Sequence, residues 1–184
     1  MSMQGIAYWI DQRAQNTPNR IAIITEEQQL TYKEMGQKVN QFARFLQQEC
    51  GVDAGVRVGI LAQNSLSYVL LLFAIAKLGG IAVPLNIRLT ANELTYQLED
   101  SGTKVLFTQH EFQPVIEQLE TKVSLIQIIW MDHKKHVSGE EARDRVATAI
   151  EADFENAINL LSSQPLIYEK MNAKAPYLIC YTSG

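Results

Sequence analysis

Residues 57–85 read RVGILAQNSLSYVLLLFAIAKLGGIAVPL, and their pattern decides the fold. Arg57 to Ala62 is a short apolar run, suited to a strand buried on both faces. Asn64 or Ser65 then caps a helix, Gly79-Gly80 ends it, and Ile81 to Leu85 is a second strand. Val58 to Ala76 carries no charge, which invites comparison with a membrane span. Gln63, Asn64, Ser65 and Ser67 interrupt it, however, and Tyr68 to Ala76 falls far short of the roughly 20 residues a spanning helix needs. The stretch is a strand, a helix and a strand, all in a protein interior.

Outward from this unit the same alternation continues. Toward the N-terminus, Gly5 to Asn16 has helical spacing, with Ile6, Trp9, Ile10 and Arg13 on one face and Thr17-Pro18 as the stop. Ile21 to Thr25 reads as a strand and Glu26 to Gln29 as a polar turn. Thr31 and Glu34 have the spacing at which each side chain caps the other's free backbone N–H, with Leu30 and Met35 at the staple positions. Met35, Val39, Phe42, Ala43 and Leu46 form the core stripe of that helix, which stops at Cys50-Gly51.

Toward the C-terminus, Thr90 and Glu93 repeat the capping box, and Leu94, Gln97, Leu98 and Ser101 line a helix ending at Gly102. Strands are expected at Lys104 to Thr108 and Leu125 to Met131, with a helix at Glu111 to Glu120 between them. Residues 132–175 change character and read as a variable surface excursion. It holds a third capping box, Ser138 with Glu141, and a short helix over Asp153 to Leu161. Tyr177 to Tyr181 returns as a buried strand and runs into Thr182-Ser183-Gly184. Strands alternating with helices through short loops define an α/β fold: a mostly parallel sheet with helices on both faces. Such sheets bind ligands beyond the carboxyl ends of their strands.

Composition narrows the function. A chain of 184 residues fits one domain. Its 47% hydrophobic and 20% charged residues are those of a globular protein, and its net charge of −4, with no basic stripe, argues against nucleic acid as a partner. Cys50 and Cys180 are far apart, so a disulfide framework is not supported; reduced thiols and a cytoplasmic location are expected. The start, MSMQGIAYWIDQRAQ, lacks the basic and apolar regions of a secretory signal.

Few residues suggest chemistry. His133 and His136 have the spacing to share a helical face, but a zinc site needs further ligands and only Asp132 and Glu140 are near; a solvated loop is the better reading. No G-x-S-x-G elbow and no G-x-G-x-x-G turn occurs. No residue stands out as catalytic and none as a metal ligand. The strand exit Thr182-Ser183-Gly184 differs, because small hydroxyl side chains and glycine let backbone N–H groups approach a phosphate. By itself that tripeptide is an ordinary turn.

The chain resembles the N-terminal part of the adenylate-forming acyl-CoA synthetases, the AMP-binding ligase family. The pieces that carry the likeness are LTYKE (30–34), RVGIL (57–61), Asn64, AKLGGIAVPLNIRL (76–89), ELTYQLEDSGTKVLF (93–107) and YTSG (181–184), in the family's order. It departs at Val56 and at Asn172-Ala173-Lys174, where the family often has acidic residues. The resemblance implies that Thr182, Ser183 and Gly184 open a phosphate-binding loop and hydrogen-bond the β- and γ-phosphates of ATP. It implies ATP, Mg2+, coenzyme A and a small carboxylic acid, a fatty acid by first choice, as substrates and cofactors of a longer parent enzyme. The 184 residues alone are then expected to be inactive, and an uncovered sheet edge would favour self-association. The form Val83-Pro84-Leu85-Asn86 with Arg88-Leu89 resembles acyl- and aryl-CoA ligases more than peptide-synthetase adenylation domains. A non-catalytic nucleotide-binding or assembly module, an aryl-CoA ligase, a luciferase-like oxidase and a peptide-synthetase domain remain as alternatives.

Overall fold

The computed structural model describes residues 5–123, 127–132, 154–166 and 174–182. The elements in chain order are α1 (Ile6–Asn16), β1 (Ile21–Ile24), β2 (Gln29–Thr31), α2 (Tyr32–Glu49), β3 (Arg57–Leu61) and α3 (Leu66–Lys77). They continue with β4 (Ile81–Pro84), α4 (Ala91–Ser101), β5 (Val105–Thr108), a 3-10 turn (His110–Phe112), α5 (Gln113–Glu120), β6 (Gln127–Trp130) and α6 (Phe154–Asn159). No helix among the described residues is long and apolar enough to cross a membrane.

Four strands form a parallel sheet in the order β4-β3-β5-β6. The chain therefore leaves β3 toward one side through α3, then returns past it to place β5 on the other side. Side chains alternate across the sheet as the pleat requires. Val58, Ile60, Ala82, Val105, Phe107 and Ile129 join one core with α2 and α3. Leu61, Val83, Leu106 and Ile128 join another with α4 and α5. Gly59 also faces the second core, where an added Cβ would lie 3.1 Å from both Leu106 and Thr103 and 3.3 Å from Leu98. Glycine there lets the turn after α4 lie close on the sheet.

The helix starts match the sequence reading. Thr31 Oγ1 accepts from the Glu34 N–H, and Glu34 Oε2 accepts from the Thr31 N–H at 2.8 Å. Thr90 and Glu93 repeat the arrangement on α4. Ser65 is the cap of α3, accepting from the Tyr68 N–H at 3.1 Å. Gly102 takes a left-handed φ of 64° at the end of α4, and Arg57 Nε donates to the Ser101 carbonyl at 2.7 Å.

Several expectations need correction. Leu30 lies in β2, which pairs antiparallel with β1, so the run before the Thr31 cap serves both a hairpin and a helix start. Trp9 is 66% exposed, and α1 instead buries Ala7 and Ile10. Tyr177 to Tyr181 is not a buried strand. It meets the sheet at one parallel bridge, Leu178 to Ala82, and Leu178 is 38% exposed. The apolar run suits a strand, but burial needs a partner on its far side, and none of the described strands lies there. Part of the expected surface excursion is interior: Phe154 is buried against Phe42, Phe45 and Phe107, with ring centroids 5.4 to 6.0 Å apart. Asn40, Gln41 and Arg44 on α2 donate to backbone carbonyls between Asn159 and Gln164, which fastens this segment. Residues 133–153, with the His133/His136 pair and the Ser138/Glu141 box, lie outside the described residues.

Three helices meet at a buried ammonium. Lys77, 1% exposed, places Nζ 2.7 Å from Asp11 Oδ1 on α1 and 2.7 Å from Asn40 Oδ1 on α2. Burial pulls its pKa down, and Asp11 opposes that pull. Removing one partner of a buried ion pair leaves an uncompensated charge. Asp11→Ala is expected to cost about 3 kcal/mol in urea unfolding, and Lys77→Met, which leaves behind only the partly exposed Asp11 carboxylate, distinctly less. The two caps give a pH prediction. Thr31 holds Glu34 below the ordinary carboxylate range, first through its backbone N–H, and the Thr90 hydroxyl leads in doing the same to Glu93. A depressed carboxyl stabilises the fold above its unfolded pKa, and that contribution is lost as pH falls through the folded value. Thermal midpoints should therefore fall through the acid range, and Glu34→Gln with Glu93→Gln should shrink that fall.

Candidate functional site

All strands of the sheet point their carboxyl ends the same way, so loops from different parts of the chain gather there. β3 is where the connections diverge, and the crevice beyond β3 and β5 is the topological switch point. Two hydrogen bonds close its floor. Thr108 Oγ1 donates to the Leu61 carbonyl at 3.0 Å, and the Gln63 N–H donates to Gln109 Oε1 at 2.7 Å. A cavity of about 270 Å³ opens beside them, lined by Ser65, Ser67, Gln109, Asp132, Phe154 and Glu155 among others.

At its rim Asp132 receives the His110 backbone N–H at 2.9 Å, and His110 Nδ1 lies 2.9 Å from Asp132 Oδ1. An ionised carboxylate only accepts, so Nδ1 carries the hydrogen. The imidazole stacks on Trp130, 4.5 Å between centroids and 19° from parallel. These contacts tie the loop after β5 to the end of β6. Sequence reasoning missed this group. His110 and Asp132 each follow a strand end by two positions, where neither helical nor strand periodicity points to them.

Thr182, singled out by the sequence, lies elsewhere, beyond the segment that pairs with β4. The segment 177–181 runs parallel to β4 on the side away from β3. The Ala82 N–H donates to the Tyr177 carbonyl and the Ile179 N–H to the Ala82 carbonyl, both at 2.9 Å. Thr182 follows and is exposed. Ser183 and Gly184 lie outside the described residues. The structure therefore does not bring Thr182 to the switch-point cavity. The two are separated by β4 and β3, roughly 10 Å at ordinary strand spacing. Thr182 supplies a hydroxyl and a backbone N–H, donor types that suit a phosphate oxygen.

Tyr181 anchors this exit. Its Oη donates to Asp100 Oδ2 at 2.6 Å and contacts the Gln97 carbonyl at 3.2 Å, both on α4. Burial and then Asp100 push the phenol up to about 12. Tyr68 on α3 is also pushed up, by burial first and by nearby Cys180 second. No group of three or more His, Cys, Asp or Glu among the described residues is arranged to hold a metal ion.

The geometry defines a doubly wound α/β domain with its ligand-facing loops at one end and a hydroxyl-bearing strand exit among them. The chain belongs to the AMP-binding enzyme family, whose model matches residues 10–184. That family is adenylate-forming. A mycosubtilin synthase component of Bacillus subtilis is 44% identical over 103 residues, which is 56% of this chain and 4% of that protein. The fatty acid–acyl-carrier-protein ligase ScoC of Streptomyces coeruleorubidus is 41% identical over 106 residues, 58% of this chain and 20% of that protein. The anthranilate CoA ligase AuaEII, solved with anthranoyl-AMP, superposes with a TM-score of 0.79 at 25% identity, covering 100% of this chain and 32% of that one. The chain thus spans at most a third of the length of these proteins.

The two thiols differ sharply. Burial, with a smaller push from Glu49, raises Cys50 to about 12, whereas Cys180 is exposed. A thiolate is the reactive form. A disulfide reagent at neutral pH should label one thiol fast in the folded protein, and Cys180→Ser should abolish that fast phase while leaving the slow one.

Proposed function

We propose that the protein belongs to an ATP-dependent ligase that activates a carboxylic acid and passes it to the thiol of coenzyme A. A carboxylate oxygen attacks the α-phosphorus of ATP, the bond to the bridging oxygen breaks, and pyrophosphate leaves. The thiolate sulfur then attacks the acyl carbon, AMP leaves, and a thioester remains. In the first step Thr182, Ser183 and Gly184 donate hydrogen bonds to the β- and γ-phosphates and offset the charge that gathers on the leaving pyrophosphate. Mg2+ enters as the counter-ion of ATP.

The observation that carries this reading is the family match across residues 10–184 together with a strand exit of the form Tyr-Thr-Ser-Gly at the carboxyl end of the sheet. Fatty acid is the preferred substrate class, supported by the likeness to ScoC, while Arg88-Leu89 after Asn86 favours acyl- and aryl-CoA ligases alike over peptide synthetases. The same likeness favours a second reading, in which the acceptor thiol belongs to a carrier protein. The reduced thiols fit a cytoplasmic setting.

The test is acid-dependent release of pyrophosphate from ATP and Mg2+ by the full product of the reading frame, across fatty, aryl and amino acids, with coenzyme A or a carrier protein as acceptor. Release with fatty acids and thioester formation with coenzyme A is the expected result. Release with amino acids alone would reject the acyl-CoA reading. The 184-residue chain by itself is expected to release none.

A further inference from the structure

Tyr181 immediately precedes the first hydroxyl of the proposed phosphate loop, yet its side chain turns away from the sheet toward α4. There its Oη is 2.6 Å from Asp100 Oδ2 and 3.2 Å from the Gln97 carbonyl, and its ring meets Tyr96 edge-on with centroids 6.4 Å apart. One hydroxyl hydrogen serves both acceptors, and the short bond to a carboxylate is the stronger share.

The two bodies it joins are held very differently. The Thr90/Glu93 box fixes the start of α4. At the other end Arg57, the first residue of β3, donates to the Ser101 carbonyl and, through Nη1, to the Gly55 carbonyl at 3.1 Å. Leu94 and Leu98 bury the inner face between those ends. α4 is thus a fixed reference. The lead-in to the loop hangs on two backbone bonds at Ala82, and Cys180 and Thr182 on either side of Tyr181 are exposed. Past Ile179, the Tyr181 hydroxyl bonds this backbone to α4.

We propose that Tyr181 and Asp100 are positioning residues, whose hydrogen bond holds the backbone leading into Thr182 against α4 and so sets where the proposed phosphate loop starts. This rests on the phosphate-loop reading given above. Neither residue touches a reacting atom. Losing the bond lets the loop start wander, which weakens ATP binding while leaving the acid site alone.

The test is the kinetics of acid-dependent ATP–pyrophosphate exchange by the full product of the reading frame. Tyr181→Phe and Asp100→Ala should each raise the KM for ATP roughly three- to tenfold, the loss of one charge-assisted hydrogen bond. The double variant should be no worse than either single one, because both remove the same bond. Asp100→Asn should recover most of the loss, since its amide oxygen still accepts. The KM for the acid and the melting temperature should stay where they were. An unchanged KM for ATP, an equal rise for the acid, or fully additive effects in the double variant would overturn the proposal. Asp100 is exposed, so its variants keep the test open if Tyr181→Phe folds poorly. If the unmodified protein shows no exchange with any acid, the functional reading fails and this proposal falls with it. If it exchanges and the variants match it, only the positioning role falls.

Discussion

The pairing of β3 with β4 along one edge and β5 along the other is the constraint on which everything else rests. Both edges of β3 are filled and both faces covered, so every backbone group of Arg57–Leu61 must be satisfied inside the sheet. Helices have to pack on either side, because a parallel sheet cannot leave a face in water. The crossover from β4 back past β3 is then forced, and it creates the crevice closed by Gln63 and Gln109. The same arrangement keeps one side of β4 open for the lead-in to Thr182. Fold and ligand end are consequences of one strand's position.

Local rules were the most legible part of the sequence. The two described capping boxes are at the residues their spacing indicates, since a reciprocal Thr–Glu cap depends on four consecutive residues and little else. The strands of the sheet were legible for a related reason: an apolar run of about five residues between helices suits a buried strand, although Tyr177 to Tyr181 shows that burial also needs neighbours on both sides. What escaped was whatever depends on remote partners. Trp9 has helical spacing with Ile6 and Arg13, but only the docking of α1 on α2 and α3 decides which face is buried. Phe154 sits in a polar stretch, and nothing local says that three other aromatic rings receive it. The candidate site divides in the same way. Thr182 was legible as part of a strand exit, whereas the bonds from Gln63 to Gln109 and from His110 to Asp132 join residues on different loops.

The likenesses carry the same lesson about level. A peptide synthase and a fatty-acid ligase match similar portions of this chain at similar identity. What the two have in common with this chain is the AMP-binding enzyme family, which is adenylate-forming whatever the acid. Residues 57–108 are given over to building the sheet and the helices that cover it. A scaffold of this kind can stay nearly constant while the substrate changes.

The two edges of β3 also bear on how the domain assembles. The partner on one edge, β4, lies about half as far along the chain as the partner on the other, β5. A doubling of loop length adds only about 0.6 kcal/mol of closure entropy. Chain connectivity therefore gives neither pairing a large head start, and an unpaired β3 presents two templates of nearly equal reach. Discrimination falls to the side chains. Gly59 admits the turn after α4 on one face, and Val58 and Ile60 recruit α2 and α3 on the other. A sequence that kept the strands but lost this asymmetry would still collapse, with little to choose which neighbour zips on which side.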